Sequence, residues 1–150
     1  MKAFYAGSFD PFTIGHFSIA NRALEMFDEL VIAVGYNESK KSERTLADRM
    51  QHIKDLYEDE PRVKILAYEG LTAEAAKEHG ACVLVRGVRN SLDFEKEKEL
   101  ADINLKVFSM PTVMIPADPS LGFVSSSMVR ELRHFGHDAE EFIPHKKQES

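Results

Sequence analysis

The stretch AFYAGSFDPFTIGHFSIANRALEMFDELVIAV, residues 3–34, holds two apolar runs separated by one amphipathic segment. Ala3 to Tyr5 and Leu30 to Val34 are apolar throughout and do not alternate, as a strand of a parallel sheet covered by helices on both faces requires. Between them, Ile14 to Phe27 places Ile19, Ala20, Ala23, Leu24 and Phe27 on one helical face. Strand, helix and parallel strand make a βαβ unit, whose crossover is right-handed.

The rest of the chain repeats this alternation. Val63 to Ala67, Ala81 to Val85 and Thr112 to Ile115 bring the strands to five. Thr45 to Tyr57 opens on the capping sequence Thr45-Leu-Ala-Asp48 and turns Met50, Ile53 and Tyr57 inward. Thr72 is expected to cap a helix ending near His79 with Gly80 as its stop, and Ser91 or Asn90 to cap another running through Leu92 and Leu100 toward Leu105. A fifth helix fits Ser126 to His134. The expectation is an α/β fold of one domain, residues 1–150: a Rossmann-like, doubly wound, five-stranded parallel sheet of order 3-2-1-4-5 with helices on both faces. In such a sheet the winding reverses between strands one and four, and ligands bind outside the carboxyl ends of those strands.

Composition limits the partners. The chain has 150 residues, 43% of them hydrophobic, and a net charge of −6 from 19 basic and 25 acidic side chains. That balance argues against gripping a nucleic-acid backbone and for small-molecule partners. Cys82, in the apolar run ACVLV, reads as a small buried hydrophobe rather than a nucleophile or metal ligand. No signal sequence or span of about 20 apolar residues is evident, so no membrane association and a cytoplasmic location are expected.

Three loops carry the chemistry. After strand one comes GSFDPFTIGH, residues 7–16. Gly7 suits a tight turn, Asp10-Pro11 an extended lead into the helix, and Gly15 and His16 fall in its first turn, where free amides favour an anion. Taken singly, Ser8, Asp10 and Thr13 satisfy a turn and a helix start; His16 together with Gly15, Thr13 and Ser8, on the rim where topology places a ligand, suggests a phosphate site. After strand four comes Arg86-Gly87-Val88-Arg89-Asn90, whose two arginines suit a polyphosphate clamp. Pairing with the acidic run Asp93, Glu95, Glu97 and Glu99 is the alternative, and suits Arg86 less because it sits so close to the sheet edge. Past strand five, Ser125-Ser126-Ser127 offers a cap, hydroxyls and amides. Lys40, after strand two, is placed to reach the same crevice. No Walker A loop, G-x-G-x-x-G, zinc spacing or nucleophile elbow is present, which points to anion recognition without a covalent nucleophile.

GSFDPFTIGH, RGVRNSLDFEKE and VSSSMVREL resemble, in order and separation, the three signature blocks of the bacterial phosphopantetheine adenylyltransferase family, within the T/H-x-G-H nucleotidyltransferases. The resemblance covers almost the whole chain. Lys96, Ala6 and Ile14 depart from the commonest family residues without removing a charged group. It implies direct attack of 4′-phosphopantetheine on the α-phosphate of ATP, giving dephospho-coenzyme A and pyrophosphate, with Mg2+ carried by ATP and no protein metal site. By motif position it implies catalytic roles for His16, Lys40 and Arg89. It implies ATP contacts from Ser8, Phe9, His16, Gly87, Val88, Arg89, Glu97, Leu121, Gly122, Phe123, Val124, Ser125, Ser126 and Ser127. Substrate contacts are implied for Ser8, Lys40, Thr72, Arg86 and Asn104. A homohexamer and feedback by coenzyme A are further family expectations. A nucleotidyltransferase using nicotinamide mononucleotide or a cytidine nucleotide, and a nucleotide-binding module without turnover, are the competing readings.

Overall fold

The computed structural model describes residues 1–37, 39 and 41–146. β1 (Lys2–Gly7), α1 (Ile14–Met26), β2 (Glu29–Gly35), α2 (Leu46–Leu56), β3 (Val63–Tyr68), α3 (Thr72–Glu78), β4 (Val83–Val88), α4 (Ser91–Phe108), β5 (Thr112–Pro116) and α5 (Ser126–His134) follow in order. The five strands are parallel and ordered β3-β2-β1-β4-β5, as the alternation of elements predicts.

Alternation along β1 and β2 divides the core between the two faces. Ala3, Tyr5, Leu30, Ile32 and Val34 pack with Ile19, Ala23 and Leu24 of α1 and Ile53 of α2. Phe4, Ala6, Val31 and Ala33 point the other way, onto Ala73 and Ala76 of α3. Central strands therefore need apolar residues at every position, and β2 has five consecutive buried ones. α5 seats Val129 in a smaller cluster with Ala139 and Ile143. Among the described residues no helix is long and apolar enough to cross a membrane.

Four expectations are corrected. β4 starts at Val83 and continues through Arg86, Gly87 and Val88, so these three residues belong to the strand and not to the loop after it. Pairing with Met114, Ile115 and Pro116 of β5 extends it. Cys82, just before that strand, is exposed, with its thiol directed at the Lys2 carbonyl. Thr72 does not cap α3, whose N-cap is Leu71 without a side-chain bond; the Thr72 hydroxyl instead meets the Tyr68 hydroxyl at 2.8 Å. Gly7 is required for close approach: a Cβ there would lie 2.8 Å from the ring of Phe9, and the left-handed residue of this loop is Phe9 itself, at φ 47°.

Ile32, on the interior strand β2, is fully buried. Ile32→Ala is expected to lower unfolding free energy by about 2–5 kcal/mol, measured by urea denaturation.

Candidate active site

The carboxyl ends of β1 and β4 open into a crevice of about 360 Å³. Its walls are the loop after β1, the end of β4 and the start of α5, three segments far apart in sequence and joined by the strand order.

The first wall is built around His16. Thr13 caps α1, and the Thr13 N–H donates to Nδ1 of His16 at 2.9 Å in a reciprocal capping box. A backbone N–H can only donate, so Nδ1 is unprotonated and the ring proton sits on Nε2. The ring stacks on Phe12 at 5.5 Å and meets the edge of Phe9 at 5.1 Å. Burial, helped by the positive charges of Arg86 and Arg89, lowers its pKa to about 4. At neutral pH His16 is an uncharged donor fixed in one tautomer. Phe9 has its side chain buried, at 3% exposure, so this residue offers the crevice its backbone.

The second wall is cationic. Arg86 donates from Nε and a terminal nitrogen to Glu97, both at 2.8 Å, and from its other terminal nitrogen to the Ala6 carbonyl at 2.7 Å. Arg89 pairs with Asp93 at 3.1 Å. The expectation that ion pairing suits Arg86 poorly is thus reversed: both arginines engage the acidic run, because α4 folds back beside β4. Three of the five guanidinium N–H groups of Arg86 are used, and the remaining two belong to a side chain that lines the crevice.

The third wall is the serine run. Ser125 caps α5 by accepting from Met128 N at 3.1 Å, and the Ser126 hydroxyl donates to the Pro11 carbonyl at 2.7 Å. Ser127 is exposed and its hydroxyl lies 3.2 Å from that of Ser125. This third hydroxyl, engaged only with that of Ser125, and the first-turn amides of α5 are the groups of the run best placed to meet an anion.

Of the residues expected at the site, Ser8, Phe9, His16, Arg86, Gly87, Val88, Arg89, Leu121, Val124, Ser125, Ser126 and Ser127 line this one crevice. Others do not. Glu97 backs Arg86, Gly122 lies outside the lining, and Phe123 is exposed with its ring against Phe142. Thr72 is held at Tyr68, and Asn104 lies on α4 with its carbonyl accepting from Met110 N. Lys40 lies outside the described residues.

Sequence reasoning passed over Asp10, which does more than shape a turn. Its carboxylate is 6% exposed and accepts from the backbone N–H groups of Glu43 and Arg44 at 2.8 and 3.1 Å. Arg130, also on the crevice, donates to the Asp10 carbonyl at 2.5 Å. The spacing Thr13-x-x-His16 was the available signal for the capping box; Asp10 and Arg130 carry no local signal.

Residues 4–132 match the cytidylyltransferase-like family model. The chain is 43% identical over 143 residues to phosphopantetheine adenylyltransferase of Bacteroides thetaiotaomicron, covering 95% of each chain. It is 45% identical to that of Phocaeicola vulgatus with the same coverage, and 44% identical to that of Porphyromonas gingivalis, covering 95% of this chain and 93% of the relative. The chain belongs to the phosphopantetheine adenylyltransferase family. Among solved structures, a bifunctional NMN adenylyltransferase/ADP ribose pyrophosphatase from Francisella tularensis superposes with a TM-score of 0.74 at 12% identity, over 95% of this chain and 44% of that one. A lipopolysaccharide core biosynthesis protein from Thermoplasma volcanium gives 0.56 at 19% identity, over 79% and 96%. These two likenesses concern the fold.

Unfolding returns His16 from a pKa of about 4 to the ordinary 6.5. Between those values the unfolded chain binds a proton that the folded chain refuses, so this contribution is intact above pH 6.5 and lost progressively as pH falls toward 4. The loss amounts to about 3 kcal/mol. His16→Gln retains the capping-box geometry and removes the titration; its stability should fall less than wild type over that window in urea denaturation at stepped pH.

Proposed function

We propose that the protein transfers the adenylyl group of ATP to 4′-phosphopantetheine. A phosphate oxygen of the acceptor bonds to the α-phosphorus, the bond from that phosphorus to the bridging oxygen breaks, and pyrophosphate leaves. The observation that carries this reading is the neutral, tautomerically fixed His16 facing Arg86 and Arg89 across one crevice. The nucleophile is a phosphate monoester with a second pKa of about 6, already mostly dianionic at pH 7, so no general base is needed. The requirement is in-line placement and a positive field around accumulating negative charge.

Each wall then has a task. The Nε2–H of His16 donates to an oxygen on the α-phosphate as its charge grows, and being neutral it surrenders no proton to the product. Arg89 and the α5 amides hold the departing phosphates; Arg86, oriented by Glu97, holds the acceptor's phosphate, with Lys40 beside it and Ser8 between the two substrates. Gly87, with Ile19 only 3.0 Å from where its Cβ would stand, keeps the floor low enough for the nucleotide. Held by triphosphate oxygens and water rather than by protein carboxylates, a Mg2+ ion bound with ATP would supply neutralisation of phosphate charge. Among the described residues no cluster of three or more His, Cys, Asp or Glu side chains is arranged for a metal, and the cationic, hydroxyl-lined crevice fits the phosphates that carry it. The location is cytoplasmic, and coenzyme A, sharing the pantetheine and adenylyl parts of the ligands, competes at the crevice.

The protein acts as a homohexamer. Support comes from α4: none of its 18 residues is buried, while Leu92, Leu100, Ile103 and Val107, on one side of the helix, are each at least half exposed. An apolar helix face of this extent is characteristic of association between copies.

Folded protein with ATP, Mg2+ and 4′-phosphopantetheine should release pyrophosphate, and nicotinamide mononucleotide or cytidine-based substrates should not replace the pair; no release overturns the reading. His16→Gln should lower kcat by about a hundredfold to a thousandfold with the fold retained. Light scattering should give six times the chain mass, and Ile103→Glu should reduce it; a monomeric wild type would refute the assembly.

A further inference from the structure

Arg49 lies on α2 and is not among the residues that line the crevice. It is only 6% exposed, and among the described residues it forms no ion pair. One terminal nitrogen donates to the Ser8 carbonyl at 2.7 Å, and its Nε is buried without a partner. A guanidinium taken out of water without a carboxylate is costly to keep, and ordinary packing is better served by an apolar side chain.

The contact it makes has a consequence on the opposite edge of one peptide. Ser8 C=O and Phe9 N–H belong to the same unit, which is trans, so the two groups point in opposite directions. With the carbonyl held toward Arg49 on α2, the Phe9 N–H points away from that side chain, and both residues of the peptide line the crevice. That N–H has no hydrogen-bond partner among the described residues. Holding it there requires Phe9 in the left-handed region at φ 47°, an uncommon conformation for a bulky residue that needs an external restraint. A cation on the carbonyl also polarises the peptide and makes its N–H a stronger donor.

Resting on the adenylyl-transfer reading, we infer that Arg49 is a positioning residue that fixes the Ser8–Phe9 peptide with its N–H toward a phosphate of the bound nucleotide. The ligand's negative charge, on the other side of that peptide, is the counter-charge that the buried guanidinium lacks. Arg49 touches no substrate and acts through the main chain.

Affinities for ATP and for adenosine, measured on wild type, Arg49→Gln and Arg49→Lys, test this. In Arg49→Gln the dissociation constant for ATP should rise by about tenfold or more, with that for adenosine almost unchanged, because only the phosphates meet the peptide. Arg49→Lys, which keeps charge and donor, should recover most of the loss. Equal losses for ATP and adenosine, or an ATP affinity unchanged from wild type, would overturn the inference. Should Arg49→Gln fail to fold, hydrogen exchange in wild type decides: the Phe9 amide should be protected on adding ATP, and unchanged exchange would refute the proposal. Wild type that does not bind ATP at all refutes the nucleotide reading itself, whereas ATP binding wild type and Arg49→Gln alike refutes only the role of Arg49.

Discussion

The buried Asp10 carboxylate is the joint on which the site is assembled. It receives two backbone N–H groups from residues 43 and 44, and so ties the loop after β1 to the loop after β2. Arg130 and Ser126 reach from α5 to the Asp10 and Pro11 carbonyls of the same loop, and Arg133 continues the tie by pairing with Glu43 at 2.9 Å. Loop carbonyls that a turn would leave to water are thereby satisfied by side chains from other elements. A loop restrained on several sides can keep the geometry that phosphate chemistry demands.

His16 illustrates how one residue serves fold and chemistry together. Its Nδ1 completes the capping of α1, and that same bond determines which nitrogen carries the proton. Burial then keeps the ring neutral, with nearby arginines adding to the effect. A charged imidazolium there would lose the Nδ1 acceptor that caps α1 and would stand close to two arginine charges.

The arginines follow a related logic. Glu97 and Asp93 restrain Arg86 and Arg89 before any ligand arrives. Glu97 is 14% exposed, so its bidentate pairing is strong in geometry as well as charge. The cost is a reduced net field, offset by side chains that need little reordering on binding.

Much of this was legible beforehand for a physical reason. Strand identity in β2 and helix identity in α1 rest on local periodicity, and uninterrupted apolar runs admit few arrangements other than a sheet covered on both faces. Caps such as Thr45 and the serine run at Ser125 were readable because helix caps are local, whereas the capping box between Thr13 and His16 was not read. Pairings across 80 or 120 residues were not: Arg86 with Ala6, or Arg130 with Asp10, exist only after the sheet has closed. Arg49 is the clearest case, since a charge on an amphipathic helix reads as solvated until the packing buries it. By itself the sequence determined the order of elements, the family and the residue types available to phosphate; tertiary structure decided which of them face the crevice, because that depends on contacts between segments with no local signature.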